Sequence, residues 1–214
     1  MDEVRFLVFE ESIYDEGDEF LNQLEQCALV DGVPIIRKDT QGFLKFMLRS
    51  LNPQRILEIG TAVGFSAILM AKYSDADIIT IENYEKRIPI AKANFKACGY
   101  ENRITLVEGD AQKRIPELSG SFDLVFIDAA KGQYQTYFNQ VFPLLHEKSV
   151  VICDNVLFDG DVLESRFAVE RRDRTIHKRM RDFLYDACHD KRFTSSVLPV
   201  GDGLLLSVVN GKKQ

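Results

Sequence analysis

The stretch RILEIGTAVGFSAILMAKYSDADIITIE, residues 55–82, decides the architecture. RILEIG (Arg55–Gly60) is a short, nearly continuous apolar run, the pattern of a strand buried on both faces. A glycine turn, Gly60 to Gly64, hands the chain to a helical pattern over Phe65–Tyr73. DIITIE (Asp77–Glu82) is a second apolar run. Strand, helix and strand in that order make a βαβ unit, and a parallel sheet follows from it.

The same alternation extends outward. Downstream, a helix over Lys86–Cys98 stops at Gly99, a C-cap position. Strands are expected over Arg103–Asp110, Phe122–Ala130 and Ser149–Asn155, with a short helix reaching Leu118 and another over Gln133–Leu145 between them. A long helix over Val169–His189 precedes FTSSVLPV and GLLLSVVN, whose only link is the turn Gly201-Asp202-Gly203, so these two pair antiparallel. Upstream, about Asp18–Leu51 is helical. The expected fold is α/β: a doubly wound, mostly parallel sheet with an antiparallel hairpin at one edge. Residues 1–51 form a helical extension and 52–214 the core of a single domain.

Composition agrees with a globular chain of 214 residues, 45% hydrophobic and 28% charged, with a mean hydropathy of −0.14. It excludes charge-dense disorder. No apolar run approaches the roughly 18 residues of a membrane span, and the acidic start MDEVRFLVFEESIYDEGDEF is not a secretory leader. Cys27, Cys98, Cys153 and Cys188 lie far apart with no CxxC pair, as expected of reduced cytoplasmic thiols. The net charge of −6 is uneven. Ten acidic residues and one basic residue lie between Met1 and Asp31, whereas seven basic residues crowd Arg166–Arg181 against Glu170 and Asp173.

A doubly wound sheet binds ligands outside the carboxyl ends of its strands. Here those ends carry Glu58 and Gly60, Glu82, Asp110, Asp128, then Asp154 and Asn155. The first turn lacks both GxGxxG and GK[ST], which excludes a P-loop and weakens a dinucleotide reading. Glu82 is placed to accept ribose hydroxyls, and Gly109-Asp110-Ala111 to flank an adenine. The alternatives are that Gly60 and Gly64 serve tight packing and that Glu82 is a solvated strand end. Acids with no phosphate cradle suit a cationic sulfonium nucleoside, so S-adenosyl-L-methionine fits better than NAD. Asp128, Asp154 and Asn155 offer only oxygen ligands, the set a hard cation such as Mg²⁺ prefers. The alternatives there are a helix cap at Asp128 and an Asx turn at Asp154-Asn155. Lys131 follows Asp128 by three residues and can point into the same site. Cys153 faces the core.

LEIGTAVGFSA, FIDAAKGQY, CDNVLFDG and LPVGDG together resemble the metal-dependent class I O-methyltransferases, which include catechol and caffeoyl-CoA O-methyltransferases. KGQY and DNVLFDG, followed by an arginine-rich stretch, are most like the bacterial tRNA 5-hydroxyuridine methyltransferase branch. The resemblance implies that Glu58, Gly60, Ser66, Glu82, Asp110, Ala111 and Asp128 contact S-adenosyl-L-methionine. It also implies that Asp128, Asp154 and Asn155 hold Mg²⁺, with Asp128 and Lys131 at the reacting hydroxyl. The expected acceptor is 5-hydroxyuridine at the wobble position of the tRNA anticodon, with a small catechol or phenylpropanoid as the alternative. A non-catalytic nucleoside-binding module would not need the Asp128–Asp154–Asn155 set. Arg171, Arg172 and Arg174 are candidates for tRNA phosphates. The resemblance further implies a cytoplasmic homodimer with no membrane partner.

Overall fold

The computed structural model describes residues 18–211 together with Arg5, Phe9, Ser12 and Ile13. Among the described elements, the helices α1 (Glu19–Val30) and α2 (Lys38–Leu51) precede the sheet. The sheet unit then runs β1 (Arg55–Ile59), α3 (Phe65–Tyr73), β2 (Asp77–Glu82), α4 (Ile88–Ala97), β3 (Ile104–Glu108) and the short α5 (Ala111–Arg114). After these come β4 (Phe122–Ile127), α6 (Tyr134–Val141), β5 (Leu145–Cys153), α7 (Arg174–His189), β6 (Phe193–Leu198) and β7 (Leu204–Val209). The described strands form one seven-stranded sheet in the order β3-β2-β1-β4-β5-β7-β6. β1 to β5 pair in parallel, while β7 runs antiparallel to both β5 and β6. The doubly wound sheet with its edge hairpin is therefore as the sequence predicts.

Strand alternation divides the core in two. Ile56, Leu124, Phe126 and Ile152 face one side, where α2, α3 and α4 cover them with Leu44, Leu48, Ile68 and Phe95. Leu57, Ile59, Val125 and Val151 face the other, under Phe138, Val141, Met180 and Phe183 of α6 and α7. Leu21, Leu24 and Ala28 of α1 join the first side, so the N-terminal helices complete the sheet's cover. Phe183 meets Tyr134 and Phe138 edge to face, with ring centroids 5.8 and 5.6 Å apart. Each such pair adds roughly 0.5–1.5 kcal/mol beyond the burial of its area. Among the described residues no helix is long and apolar enough to cross a membrane.

Several boundaries differ from expectation, each for a local reason. β5 begins at Leu145, not Ser149, because a bulge opposite Phe122–Leu124 absorbs the charged Glu147 and Lys148. The Ser149 hydroxyl bridges that bulge, donating to the Phe122 carbonyl at 2.7 Å and accepting the His146 N–H at 2.9 Å. α7 begins at Arg174, five residues later than Val169. Val169 is buried in a turn whose carbonyl accepts Arg174 Nε at 3.2 Å. β6 stops at Leu198 because Pro199 has no N–H for the ladder. The helix expected from Gln133 to Leu145 is α6 alone, flanked by 3₁₀ turns at Lys131–Gln133 and Phe142–Leu144.

Candidate active site

The carboxyl ends of β1 to β4 surround a cavity of about 510 Å³, large enough for a nucleoside-sized ligand. Gly60 fixes its floor. With φ at +103°, a Cβ there would lie 1.9 Å from the Asp128 carbonyl oxygen, so only glycine lets β1 and β4 close together. A Cβ on Gly64 would meet the Phe95 ring at 2.5 Å. Both glycines thus serve close packing, although Gly60 also lines the cavity.

Glu82 ends β2 against this cavity. Its Oε2 accepts the Ala62 N–H at 2.7 Å, and its Oε1 accepts those of Asn83 and Tyr84 at 2.9 and 2.8 Å. Three backbone donors occupy most of the roughly four acceptor positions of a carboxylate. The remaining one lies on Oε2, in the cavity wall. Glu82 is therefore a buried, oriented acceptor and not a solvated strand end.

Two expected contacts fall outside the wall. Glu58 shares the face of β1 that carries Ile56 and is completely buried. Its carboxylate accepts hydrogen bonds from the hydroxyls of Ser66 and Thr80, so it acts by orienting those residues. Burial, with added repulsion from Asp128 and Glu82, pushes its pKa up to about 7. Ser66 itself lines the cavity. Asp110 caps α5, accepting the Gln112 N–H at 3.0 Å, while its neighbours Gly109 and Ala111 reach the wall. Its position at the start of a helix turns its carboxylate to the helix backbone.

At the far end of the cavity β4 and β5 bring Asp128, Asp154 and Asn155 together. Asn155 Nδ2 donates to Asp128 Oδ1 at 3.0 Å, and Asp154 Oδ1 accepts the Asn155 N–H at 2.7 Å. Asn155 holds φ at +57°, a left-handed conformation that asparagine tolerates better than most residues. Asp128 is not a helix cap, since the following 3₁₀ turn has Ala130 at its cap with no side-chain bond. Burial, with mutual repulsion added for Asp154, raises both acids above the usual carboxylate range. Lys131 stands beside them with its Nζ 3.4 Å from Asp202 Oδ2 and 4.6 Å from the centre of the Phe158 ring. It is half-buried, unlike an exposed helix-start lysine. Cys153 is buried, and desolvation pushes its thiol far up, which suits packing.

Sequence reasoning passed over two residues here. The hydroxyl of the fully buried Tyr134 donates to the Asp154 carbonyl at 2.8 Å and braces the end of β5. Asp202 comes from the turn between β6 and β7. Both lie inside motifs that stand out in the sequence, KGQY and LPVGDG, but no spacing rule links either residue to Asp154 or Lys131.

The basic segment divides into used and unused charges. Arg172 pairs with Glu170 at 3.0 Å and Asp173 at 3.3 Å, Lys178 pairs with Asp182, and Arg181 Nη1 donates to the Val162 carbonyl at 2.9 Å. Arg174 closes the turn before α7. Arg166, Arg171 and Arg179 make no ion pair among the described residues, and Arg166 and Arg171 are exposed. A Cβ on Gly132 would lie 3.2 Å from the Arg179 guanidinium, which places that charge beside the Lys131 turn.

Among the described residues no three Asp, Glu, His or Cys side chains converge as a metal cluster. The candidate set is two carboxylates completed by an amide. Its chemistry still fits a hard cation: two mutually repelling carboxylates sit side by side, and a half-turn of the Asn155 amide brings its oxygen toward them.

The whole describes a Rossmann-like α/β chain whose nucleoside-sized cavity reaches Asp128 and Asn155. The O-methyltransferase family model matches residues 10–209, and the chain belongs to that family. The chain is 35% identical over 124 residues to a catechol O-methyltransferase of Mycobacterium tuberculosis, a stretch covering 56% of either protein, so little more than half of that relative is matched. It is 28% identical over 216 residues to caffeoyl-CoA O-methyltransferase 1 of Eucalyptus globulus, covering 93% of this chain and 85% of the relative. Among solved structures, the SAH-bound methyltransferase PaMTH1 of Podospora anserina superposes with a TM-score of 0.90 at 25% identity. That match covers 99% of this chain and 97% of the other.

Proposed function

We propose that this chain transfers a methyl group from S-adenosyl-L-methionine to one of two neighbouring oxygens on an acceptor, assisted by a divalent cation such as Mg²⁺. The observation that carries this reading is that Asp128 and Asn155, bonded to each other and held beside Asp154, stand in the wall of a nucleoside-sized cavity. S-adenosyl-L-methionine supplies the methyl on a sulfonium and leaves as the thioether. Asp128, Asp154 and Asn155 would hold Mg²⁺, which would supply Lewis acidity favouring the ionised acceptor oxygen. Glu82 holds the ribose through its free acceptor position, and Gly109 and Ala111 flank the base. Lys131, ion-paired with Asp202, faces the acceptor as an ammonium and stabilises the charge that develops on its oxygen. A C–O bond forms as the S–C bond breaks, and the hydroxyl proton passes to solvent. Holding the two partners in line supplies much of the rate.

The acceptor class best supported is a small catechol-type phenol, because the named relatives act on catechol and caffeoyl-CoA. A second reading is 5-hydroxyuridine at the wobble position of tRNA, whose 5-hydroxyl and O4 form a comparable oxygen pair. The exposed Arg166 and Arg171 and the placement of Arg179 beside the Lys131 turn favour it. A homodimer belongs to the same reading, with exposed Leu29, Val30 and Phe46 of α1 and α2 as its apolar surface.

The test is a direct competition. Purified protein is given S-adenosyl-L-methionine, Mg²⁺ and either a catechol or tRNA bearing 5-hydroxyuridine, and products are read by mass spectrometry. A methylated catechol supports the first reading, and 5-methoxyuridine supports the second. Tight cofactor binding with no methyl transfer to either would leave the chain a nucleoside-binding module.

A further inference from the structure

We propose that Asp202 is the positioning residue of this site, fixing Lys131 and the turn around Phe158 in a single working arrangement. The proposal rests on the methyl-transfer reading for its consequence, though not for its geometry.

Asp202 reaches the site from the C-terminal hairpin, 71 residues beyond Lys131. It is only 5% exposed, and each of its carboxylate oxygens has a separate task. Oδ2 faces Lys131 Nζ at 3.4 Å, while Oδ1 accepts the Asp159 N–H at 2.7 Å. Its backbone works in the same direction. The Asp202 carbonyl accepts the Leu157 N–H at 2.8 Å, and that of Gly203 accepts the Val156 N–H at 3.0 Å. The chain from Val156 to Asp159 is thereby fastened to the hairpin.

That fastening has an evident use. Phe158 and Asp159 both hold left-handed backbone, with φ at +55° and +52°, although neither is glycine. Such conformations persist only where surrounding bonds over-determine them. The Asp202 carboxylate bonds the backbone of that turn from the inside, while Arg37 pairs with the Asp159 side chain at 3.1 Å on the exposed side. The turn in its place sets the Phe158 ring 4.6 Å from the Lys131 ammonium. Lys131 is thus held between a carboxylate and an aromatic face, and both restraints depend on one residue.

A lysine on a flexible four-carbon stem needs such an anchor. Asp128 lies close by, but Asp202 is the carboxylate that pairs with this ammonium among the described residues. Without Asp202, Lys131 would lose that ion pair and swing away from the acceptor. Asp202 gives the charge a partner set apart from the oxygens that face the acceptor.

The experiment uses Asp202→Asn, which keeps an oxygen for the Asp159 N–H and removes the charge facing Lys131. Lys131 is read without turnover, by reductive methylation of the folded protein followed by peptide mass spectrometry. Losing its carboxylate partner should raise the labelling rate of Lys131 by about threefold or more, with other lysines unchanged. Methyl transfer should show kcat lowered about tenfold with the acceptor KM changed less than about twofold. On a Lys131→Met background the same substitution should lower kcat no further. Should Asp202→Asn fail to fold, Asp202→Glu keeps the charge but misplaces it, and the same rise in labelling is expected. An unchanged Lys131 labelling rate, or independent effects of the two substitutions, overturns the proposal. If wild type methylates nothing while Asp202→Asn still exposes Lys131, the methyl-transfer reading fails and the positioning role stands.

Discussion

Replacing Glu82 by alanine should do two things at once, and the structure sets the size of each. The carboxylate accepts three backbone N–H bonds, from Ala62, Asn83 and Tyr84. Hydrogen bonds to a charged group contribute about 1.5–3 kcal/mol each. The gross loss would be large, but the cavity is open to water, which can refill the space and satisfy some of the donors. A net destabilisation of about 2–4 kcal/mol is expected, toward the upper end of single substitutions. Cofactor binding loses the one remaining acceptor position, again about 1.5–3 kcal/mol, or roughly ten- to hundredfold in Kd. Glu82→Gln should lower stability nearly as much, because its amide NH₂ must face one of the backbone donors, yet it should retain more affinity. Urea unfolding gives the first quantity and calorimetry with S-adenosyl-L-methionine the second. Normal stability with weakened binding would show that the three backbone bonds are not held by this carboxylate. Unchanged affinity would remove Glu82 from the ribose site.

Glu58 makes stability depend on pH. Its folded pKa of about 7 lies above its ordinary 4.5, so the folded state keeps a proton that the unfolded state loses. Stability should therefore fall as pH rises from about 4.5 to 7 and then level off, by about 3 kcal/mol in all. Glu58→Gln should abolish that slope in urea titrations at pH 5 and pH 8. Asp154→Asn should eliminate methyl transfer while leaving cofactor affinity within about threefold, and chelator should do the same to wild type until Mg²⁺ is restored. Full activity in chelator would remove the cation from the mechanism. Because burial and repulsion from Asp128 raise Asp154 above the usual carboxylate range, Mg²⁺ affinity measured by calorimetry should rise with pH. The arginines should separate by role. Arg174→Ala should loosen the start of α7 and lower the melting temperature. The triple replacement of Arg166, Arg171 and Arg179 should instead flatten the salt dependence of tRNA binding, by roughly 0.7–0.9 in log–log slope for each phosphate no longer neutralised. An unchanged slope would leave the small acceptor as the better reading.

Most of the fold was legible because both faces of the sheet are covered. Buried parallel strands read as apolar runs, and RILEIG and DIITIE admit few other interpretations. The misread boundaries lie where a local bond overrides the pattern. Glu147 and Lys148 look like a loop, yet the Ser149 hydroxyl ties their bulge into β5. Val169 looks like the first apolar position of α7, yet it is buried in the preceding turn, and periodicity cannot tell these apart.

The candidate site was legible in proportion to how much of it sits at strand ends. Glu82, Asp128, Asp154 and Asn155 follow from the rule that ligands gather there, and the sheet brings all four to one edge. Glu58 and Asp110 satisfy the same rule by position, but neither lines the cavity. Glu58 points into the α3 side of the sheet, and one Asp110 oxygen accepts an N–H at a helix start. Direction is set by strand alternation and by which backbone donors happen to be unsatisfied nearby. Asp202 lay beyond reach for a different reason. Its contact with Lys131 requires β7 to insert between β5 and β6, which brings the loop before β7 under the end of β5. A hairpin at the sheet edge predicts the antiparallel pairing but not which of its two strands lies inside. That single choice of order decides whether the acidic end of the sheet meets the Asp202 carboxylate, and so whether Lys131 is anchored.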